Sequence, residues 1–362
     1  MQPMASTKSY NSKIVNLAIP NILSNLSVPL LGAVDTAIVG RLDELYYLGA
    51  IAVGSLVFDF IFWGFGFLRM GTTGLVAQAL GAANHQMIQN LWLRVALFGS
   101  VLGLALIVLQ NPIAHWSLVI ISPSAEVAQY ATEYIRIRIW AAPATLLLYG
   151  MNGWFLGMQN ARIPMIITIV LNIINLVLNV VFVLVLDWKV AGIAFGSVIA
   201  SYLGLFLALG FFFQSYAKRW ASGWWREWQK SDFWEPSTWK EWLGVNRDIF
   251  IRTLCLIFAY AYFTTTSARA GDLVLATNTI LLQLWYISSY GIDGFAYAAE
   301  SLSGMYWGQK NTEAFKQVVR KTMQWGLGLG LSLSALFYVG FEPLFMLFTD
   351  KPAIVEQAQY MM

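Results

Sequence analysis

The sequence predicts an all-α fold, a polytopic transmembrane helical bundle of two parallel six-helix repeats, the second incomplete. Three observations carry this prediction. The chain has 58% hydrophobic residues against 11% charged ones, too apolar for a soluble globule and without the alternation of an outer-membrane barrel. Nine apolar segments reach the roughly twenty residues needed to cross a hydrocarbon core. Short motifs of the first half recur in the second at a nearly constant offset.

The segments run over 14–40, 48–80, 91–110, 129–156, 163–186, 190–214, 246–268, 273–305 and 322–348, and a tenth begins near Ala353. The first contains Pro20, Pro29 and Gly32. Each proline removes a backbone donor and the glycine adds pliability, so this helix is expected to bend. Spans 48–80 and 273–305 are about a dozen residues too long for a straight crossing and must tilt, bend or project.

With the N-terminus inside, Lys8, Lys13, Arg162, Lys218, Arg219, Arg226, Lys230, Lys240, Arg247, Lys310, Lys316, Arg320 and Lys321 fall on the cytoplasmic side. Only Arg41, Lys189, Arg269 and Lys351 fall outside. This bias predicts a multi-pass protein of the cell (inner or plasma) membrane with a cytoplasmic N-terminus. The net charge of +3 is then a topological signal, and no basic-aromatic module points to nucleic acid. The single cysteine, Cys255, lies in a span and is expected to pack there. The first span lacks a small-residue cleavage site, so no removed signal peptide is expected.

Leu48-Gly49-Ala50 leading to Gly81-Ala82-Ala83-Asn84 matches Leu275-Ala276-Thr277 leading to Gly308-Gln309-Lys310-Asn311, at an offset of 227. Ala128-Gln129-Tyr130 recurs as Ala358-Gln359-Tyr360, at an offset of 230. A unit of six spans returns the chain to its starting side, so the two copies point the same way. The expected organisation is an N-lobe over 1–214, a Trp-rich cytoplasmic linker over 215–245, and a partial C-lobe over 246–362. The linker carries Trp220, Trp224, Trp225, Trp228, Trp234, Trp239 and Trp242 interleaved with charge, an interfacial pattern. Equivalents of the fourth to sixth spans are missing from the second copy, so truncation by about 80–90 residues is expected.

Polar residues at membrane depth mark candidate sites. Asp35 stands near the end of the uncharged run Ile14–Gly40, where a carboxylate costs on the order of 2.5–3.5 kcal/mol and so calls for a function. A plain hydrogen bond to a neighbouring helix is the alternative. Asn172, Asn175 and Asn179 fall within about 60° on one face of the fifth span, and Ser197 of the sixth could add a hydroxyl. These groups suit a cation or a protonated acid, and equally suit interhelical hydrogen-bond glue. In the eighth span Tyr286, Tyr290, Asp293, Tyr297, Glu300 and Gly304 form one stripe about 80° wide. Such a stripe cannot face lipid; it lines a water-filled cavity or forms a structural seam. Phenols with carboxylates suit organic cations. Asp59, flanked by Phe58 and Phe60, is a further intramembrane acid with Arg69 and Arg252 as candidate counter-ions. His85 and His115 lack metal-ligand spacing and no phosphate-binding loop is present, so no enzyme, metal or cofactor is expected.

Leu17-Ala18-Ile19-Pro20, Val28-Pro29-Leu30-Leu31-Gly32, Val34-Asp35-Thr36, Gly40 and Leu48-Gly49-Ala50 resemble multidrug and toxic compound extrusion (MATE) transporters. Phe67 to Leu75, Ala77-Gln78-Ala79, Asn246-Arg247-Asp248-Ile249 and Asp293 to Ala298 with Glu300 resemble the DNA-damage-inducible F (DinF)-like branch. The resemblance implies two six-helix lobes and export of drugs, toxins or amphipathic, often cationic, metabolites by cation antiport through alternating access. It also implies an N-lobe cation site at Asp35, Asn175 and Ser197. Asn179 stands where many members carry Asp, which shifts the expectation from Na⁺ toward H⁺. The substrate pathway would then comprise Asp59, Tyr290, Asp293, Tyr297 and Glu300, in a monomer surrounded by membrane lipids. Two alternatives stay open at this point: a lipid-linked precursor flippase, which calls for a cluster of Arg in the central cavity, and a non-transporting remnant.

Overall fold

A computed structural model describes residues 7–40, 42, 44–217, 232–346, 348, 349 and 351–361. Arg41 and the linker residues Lys218, Arg219, Trp220, Trp224, Trp225, Arg226, Trp228 and Lys230 lie outside them. Among the described residues every regular element is helical. In chain order these are α1 (Thr7–Val39), α2 (Leu45–Gly64), α3 (Phe67–Gly81), α4 (His85–Val108), α5 (Gln110–Ile121), α6 (Ala125–Arg138) and α7 (Ala142–Gly157). They continue as α8 (Arg162–Val180), α9 (Lys189–Phe212), α10 (Pro236–Arg269), α11 (Asp272–Gly308), α12 (Thr312–Val339), α13 (Phe341–Met346) and α14 (Pro352–Met361).

Five helical stretches, Leu45–Gly81, His85–Val108, Arg162–Val185, Lys189–Tyr216 and Pro236–Arg269, are long and apolar enough to cross a membrane by length and composition. The other predicted spans are also helical. The two overlong spans resolve differently. The first breaks at Phe65 and Gly66, where α2 ends and α3 begins. The second is the unbroken α11, about 55 Å long at 1.5 Å per residue, which must tilt or project. Span 129–156 divides into α6 and α7 around a 3₁₀ turn, Ile139–Ala141, with Pro143 in the first turn of α7. α1 runs as one helix through both of its prolines.

The repeat is visible in backbone geometry. α3 ends with Ala83 at φ 54° and α11 with Lys310 at φ 55°. Asn84 N–H donates to the Ala79 carbonyl at 2.9 Å, and Asn311 N–H to the Tyr306 carbonyl at 3.0 Å. Both asparagines then cap the next helix: Asn84 accepts from Met87 N–H and Asn311 from Ala314 N–H. Each pair is related by 227 positions. The same shift relates the contact between the two helices. The missing side chain of Gly81 leaves room for the Met305 backbone, and that of Gly308 for the Gln78 backbone, while Gly304 faces Ala77. Residues 78 and 305, 81 and 308, and 77 and 304 are repeat partners, so the packing is reciprocal, as across a two-fold axis.

α1 lies against both α8 and α11. Near its start Lys13 Nζ donates to the Tyr306 hydroxyl at 2.9 Å, and Tyr10 meets the Tyr306 ring edge-on. Its later half carries the polar contacts to α8 described below.

Four expectations are corrected. The predicted linker boundary at residue 245 falls inside α10, which starts at Pro236 and runs on unbroken. Trp239 and Trp242 are packed rather than interfacial: Trp242 is buried against Phe98 of α4, whereas Trp234 is exposed. Cys255 is exposed rather than packed, because α10 meets neighbours on one side and leaves Ile251, Leu254, Phe258 and Tyr262 uncovered. Finally, α5 occupies a stretch where no element was expected, presenting Trp116 and Ile120 outward.

Arg94, fully buried in α4, fastens the start of α10. It donates to the Phe233 carbonyl at 3.4 Å, the Thr238 carbonyl at 3.3 Å and the Thr238 hydroxyl at 2.5 Å, and lies over the Phe233 and Trp239 rings. Truncation removes all three hydrogen bonds and empties the space of a long side chain. Arg94→Ala is therefore expected to destabilise the protein by about 3 kcal/mol, read as a lowered Tm in detergent.

Candidate functional site

Two polar clusters stand among the helices, the first buried and the second partly exposed. The first joins α1, α8 and α9. Asn179 Nδ2 donates to Asp35 Oδ1 at 2.7 Å and to Asn175 Oδ1 at 3.0 Å, and Asn175 Nδ2 donates to Ser197 Oγ at 3.1 Å. The four residues expected to handle a cation thus form one hydrogen-bonded chain. Asn172, on the same face, donates to Ser27 Oγ at 2.8 Å and ties α8 to α1 one step further along.

Local sequence explains the arrangement. Residues 175 and 179 are four apart on α8 and so face one way. Gly196 of α9, lacking a Cβ, lets the Asn179 side chain lie directly against it. Immediately after Asn179 the helix widens into a π turn, Val181–Val185, a feature common at functional positions. Asn175, Asn179 and Ser197 are buried, and Asn179 Oδ1 has no hydrogen-bond partner.

The second cluster lies between α2, α3, α6, α7, α10 and α11. The Arg69 guanidinium of α3 sits 3.9 Å from the centroid of the Tyr297 ring on α11. It is within electrostatic reach of Asp293 and Glu300, and Arg252 of α10 also bears on Glu300. Asp59 acts on Tyr290 and on Tyr149 of α7. Asp59, Tyr290, Asp293, Tyr297 and Glu300 are thus linked through electrostatic interactions with one another or with Arg69, Arg138 and Arg252. The expected counter-ions of Asp59 need correction. Arg138, at the end of α6, is the cation within reach of Asp59, and also of Asp35, whereas Arg69 and Arg252 serve the α11 stripe.

Arg138 rests against the Phe58 and Tyr134 rings, with its Nε lacking a hydrogen-bond partner. Its position between the two clusters was not anticipated, although a basic residue inside span 129–156 is itself a signal. A separate cavity of about 500 Å³ lies where α3 and α11 end and α4 and α12 begin, lined among others by Gln78, Glu241, Tyr306 and Lys310. No predicted site residue lines it. Among the described residues no group of three His, Cys, Asp or Glu is placed to hold a metal.

A helical bundle with long apolar helices, a buried polar chain and a second, partly exposed polar cluster is the build of a membrane transporter. The sequence model of the MatE family matches residues 20–181 and 249–362. The chain is 36% identical to DNA damage-inducible protein F of Escherichia coli (strain K12), over 98% of this chain and 76% of that protein. It is 24% identical to Protein DETOXIFICATION 44, chloroplastic, of Arabidopsis thaliana, over 96% of this chain and 66% of that protein. Among solved structures, one described as a MATE in the bent conformation superposes with a TM-score of 0.86 at 19% identity, covering 98% of this chain and 79% of that one. The chain belongs to the MatE family, the multidrug and toxin efflux transporters, and its members are multi-pass membrane transporters rather than enzymes.

Proposed function

We propose that this protein exports amphipathic, predominantly cationic, organic molecules by antiport against a cation, through alternating access of two lobes about the α3–α11 contact. The orientation that goes with this reading is a cytoplasmic N-terminus in the cell membrane, with the protein working as a monomer. The observation that carries it is the chain from Asp35 through Asn179 and Asn175 to Ser197. An intramembrane carboxylate stands on the proline-bearing α1 and is linked by hydrogen bonds to α8 and, through it, to α9. A change in its charge bears on the packing of all three.

H⁺ is the coupling ion this geometry favours. Asn179 turns its N–H groups toward both Asp35 and Asn175, so donors rather than oxygens fill the space between them. A Na⁺ ion needs oxygen ligands converging there. The flippase alternative draws support from Arg69, Arg138 and Arg252 around the second cluster. Asp59, Asp293 and Glu300 match them in number, which disfavours a polyanionic lipid headgroup.

The test is transport by purified protein in vesicles. A lumen-acidic pH gradient is expected to drive uptake of ethidium, and a Na⁺ gradient is expected to drive none. Flux that follows Na⁺ alone would reject proton coupling, and flux indifferent to both gradients would reject antiport. In the same assay Asn179→Asp is expected to introduce Na⁺ stimulation, since it supplies a second anionic oxygen donor beside Asp35.

A further inference from the structure

We propose that Arg69 is a resident cation occupying the organic-cation position on α11, so that a cationic substrate binds by displacing this guanidinium from Tyr297. This rests on the reading of α11 as the substrate stripe. The geometry is specific. Asp293 lies four residues before Tyr297 and Glu300 three residues after it, so both acids flank the ring on one helical face. A positive group over that ring is within electrostatic reach of both carboxyls. The chain places its own arginine there, 3.9 Å from the ring centroid.

The arginine is held in a way that permits exchange. Its backbone is fixed: Gly153 of α7 packs directly on it, and Thr73 Oγ1 donates to its carbonyl at 2.9 Å. Its head group is not. Among the described residues the one ion pair within bonding distance is Arg247 with Asp248, on the surface, and Arg69 Nη1 is buried without a hydrogen-bond partner. The guanidinium is thus kept in place by the ring face and by charges beyond direct contact. A lipophilic cation offers the same charge to the same ring and adds apolar surface, while the freed arginine swings on a flexible stem.

The exchange has a conformational consequence. Arg69 belongs to α3 and Tyr297 to α11, so their contact joins the two repeats. A substrate that takes over the ring leaves that link broken. Arg252, whose Nη2 lies 3.2 Å from Met70 Sδ, remains to bear on Glu300. Substrate charge and lobe release are therefore coupled through one side chain.

The experiment is equilibrium binding of tetraphenylphosphonium to the full-length chain in nanodiscs. Wild type is compared with Arg69→Gln, Arg69→Lys, Tyr297→Leu, Glu300→Gln and the double variant Arg69→Gln/Tyr297→Leu. Arg69→Gln is expected to lower Kd by about 2- to 30-fold, the span a cation–π contact covers. Arg69→Lys should give a smaller gain, and the gain should shrink in the Tyr297→Leu background. Unchanged or weakened binding by folded Arg69→Gln overturns the proposal. Should that variant fail to fold, unchanged binding by Arg69→Lys overturns it instead. Wild-type binding that depends on Glu300 but ignores Arg69 sinks this inference alone. No binding by any variant sinks the organic-cation reading with it.

Discussion

Asp35→Asn is expected to abolish pH-gradient-driven efflux while leaving the protein folded. The substitution is nearly isosteric, and the new amide oxygen can still accept from Asn179 Nδ2, as Asp35 Oδ1 does at 2.7 Å. The lost difference between a charged and a neutral acceptor is about 1 kcal/mol, small beside the stability of a large bundle. The loss to coupling is complete, because the amide cannot exchange a proton. Each charge carried across the membrane is worth about 2.3 kcal/mol per 100 mV, and that drive vanishes with the titratable group. Asp35→Leu separates the two effects. It leaves a buried Asn179 donor unpaired at about 1–3 kcal/mol, so it should lower Tm as well as activity. Vesicle efflux under an imposed gradient, beside thermal melting, reads both. An Asp35→Asn protein that still pumps with the pH gradient would remove Asp35 from the coupling scheme.

The contrast between what the sequence reveals and what it hides follows from where each contact lies along the chain. Asn175 and Asn179 were readable because a 3.6-residue period within one helix places them on one face. The α11 stripe was readable for the same reason. Asp35 announced itself by the cost of a carboxylate at its depth. Arg138 did not, because its relation to Asp35 and Asp59 joins α6 to α1 and α2, and no period links separate helices. In the sequence Arg69 reads as a candidate counter-ion of Asp59; only the close approach of α3 and α11 brings it over Tyr297. α5 escaped because twelve residues are too few for a span and its apolar face is interrupted. The start of α10 could have been found: Pro236 follows Glu235 at the first helical position, a standard opening. The repeat was legible as matched motifs, yet its reciprocity needed coordinates.

That reciprocity makes Gly308→Val the second large expected effect. Gly81 and Gly308 each accept the backbone of the opposite helix where a side chain would stand. A β-branched residue at 308 meets the Gln78 carbonyl, which belongs to a helix and cannot rotate away as a side chain would. Relief requires α3 and α11 to separate at this end. Overpacking of this kind costs about 3 kcal/mol or more, and should appear as a lower Tm. Separation also predicts a change of accessibility. Ser301, fully buried on α11 seven residues before Gly308, bonds across to the end of α7: it donates to the Leu156 carbonyl and accepts from Gln159 Nε2 at 2.7 Å. A Ser301→Cys thiol, in a Cys255→Ser background, should resist maleimide in the parent and react once Gly308→Val is added. Gly81→Val alone should act alike, since position 81 is the repeat partner of 308. Combining the two should cost less than their sum, because the first substitution has already moved the helices apart. Additive losses with an unreactive thiol would mean that each clash is absorbed locally, and that the α3–α11 contact is not the surface on which the two repeats part.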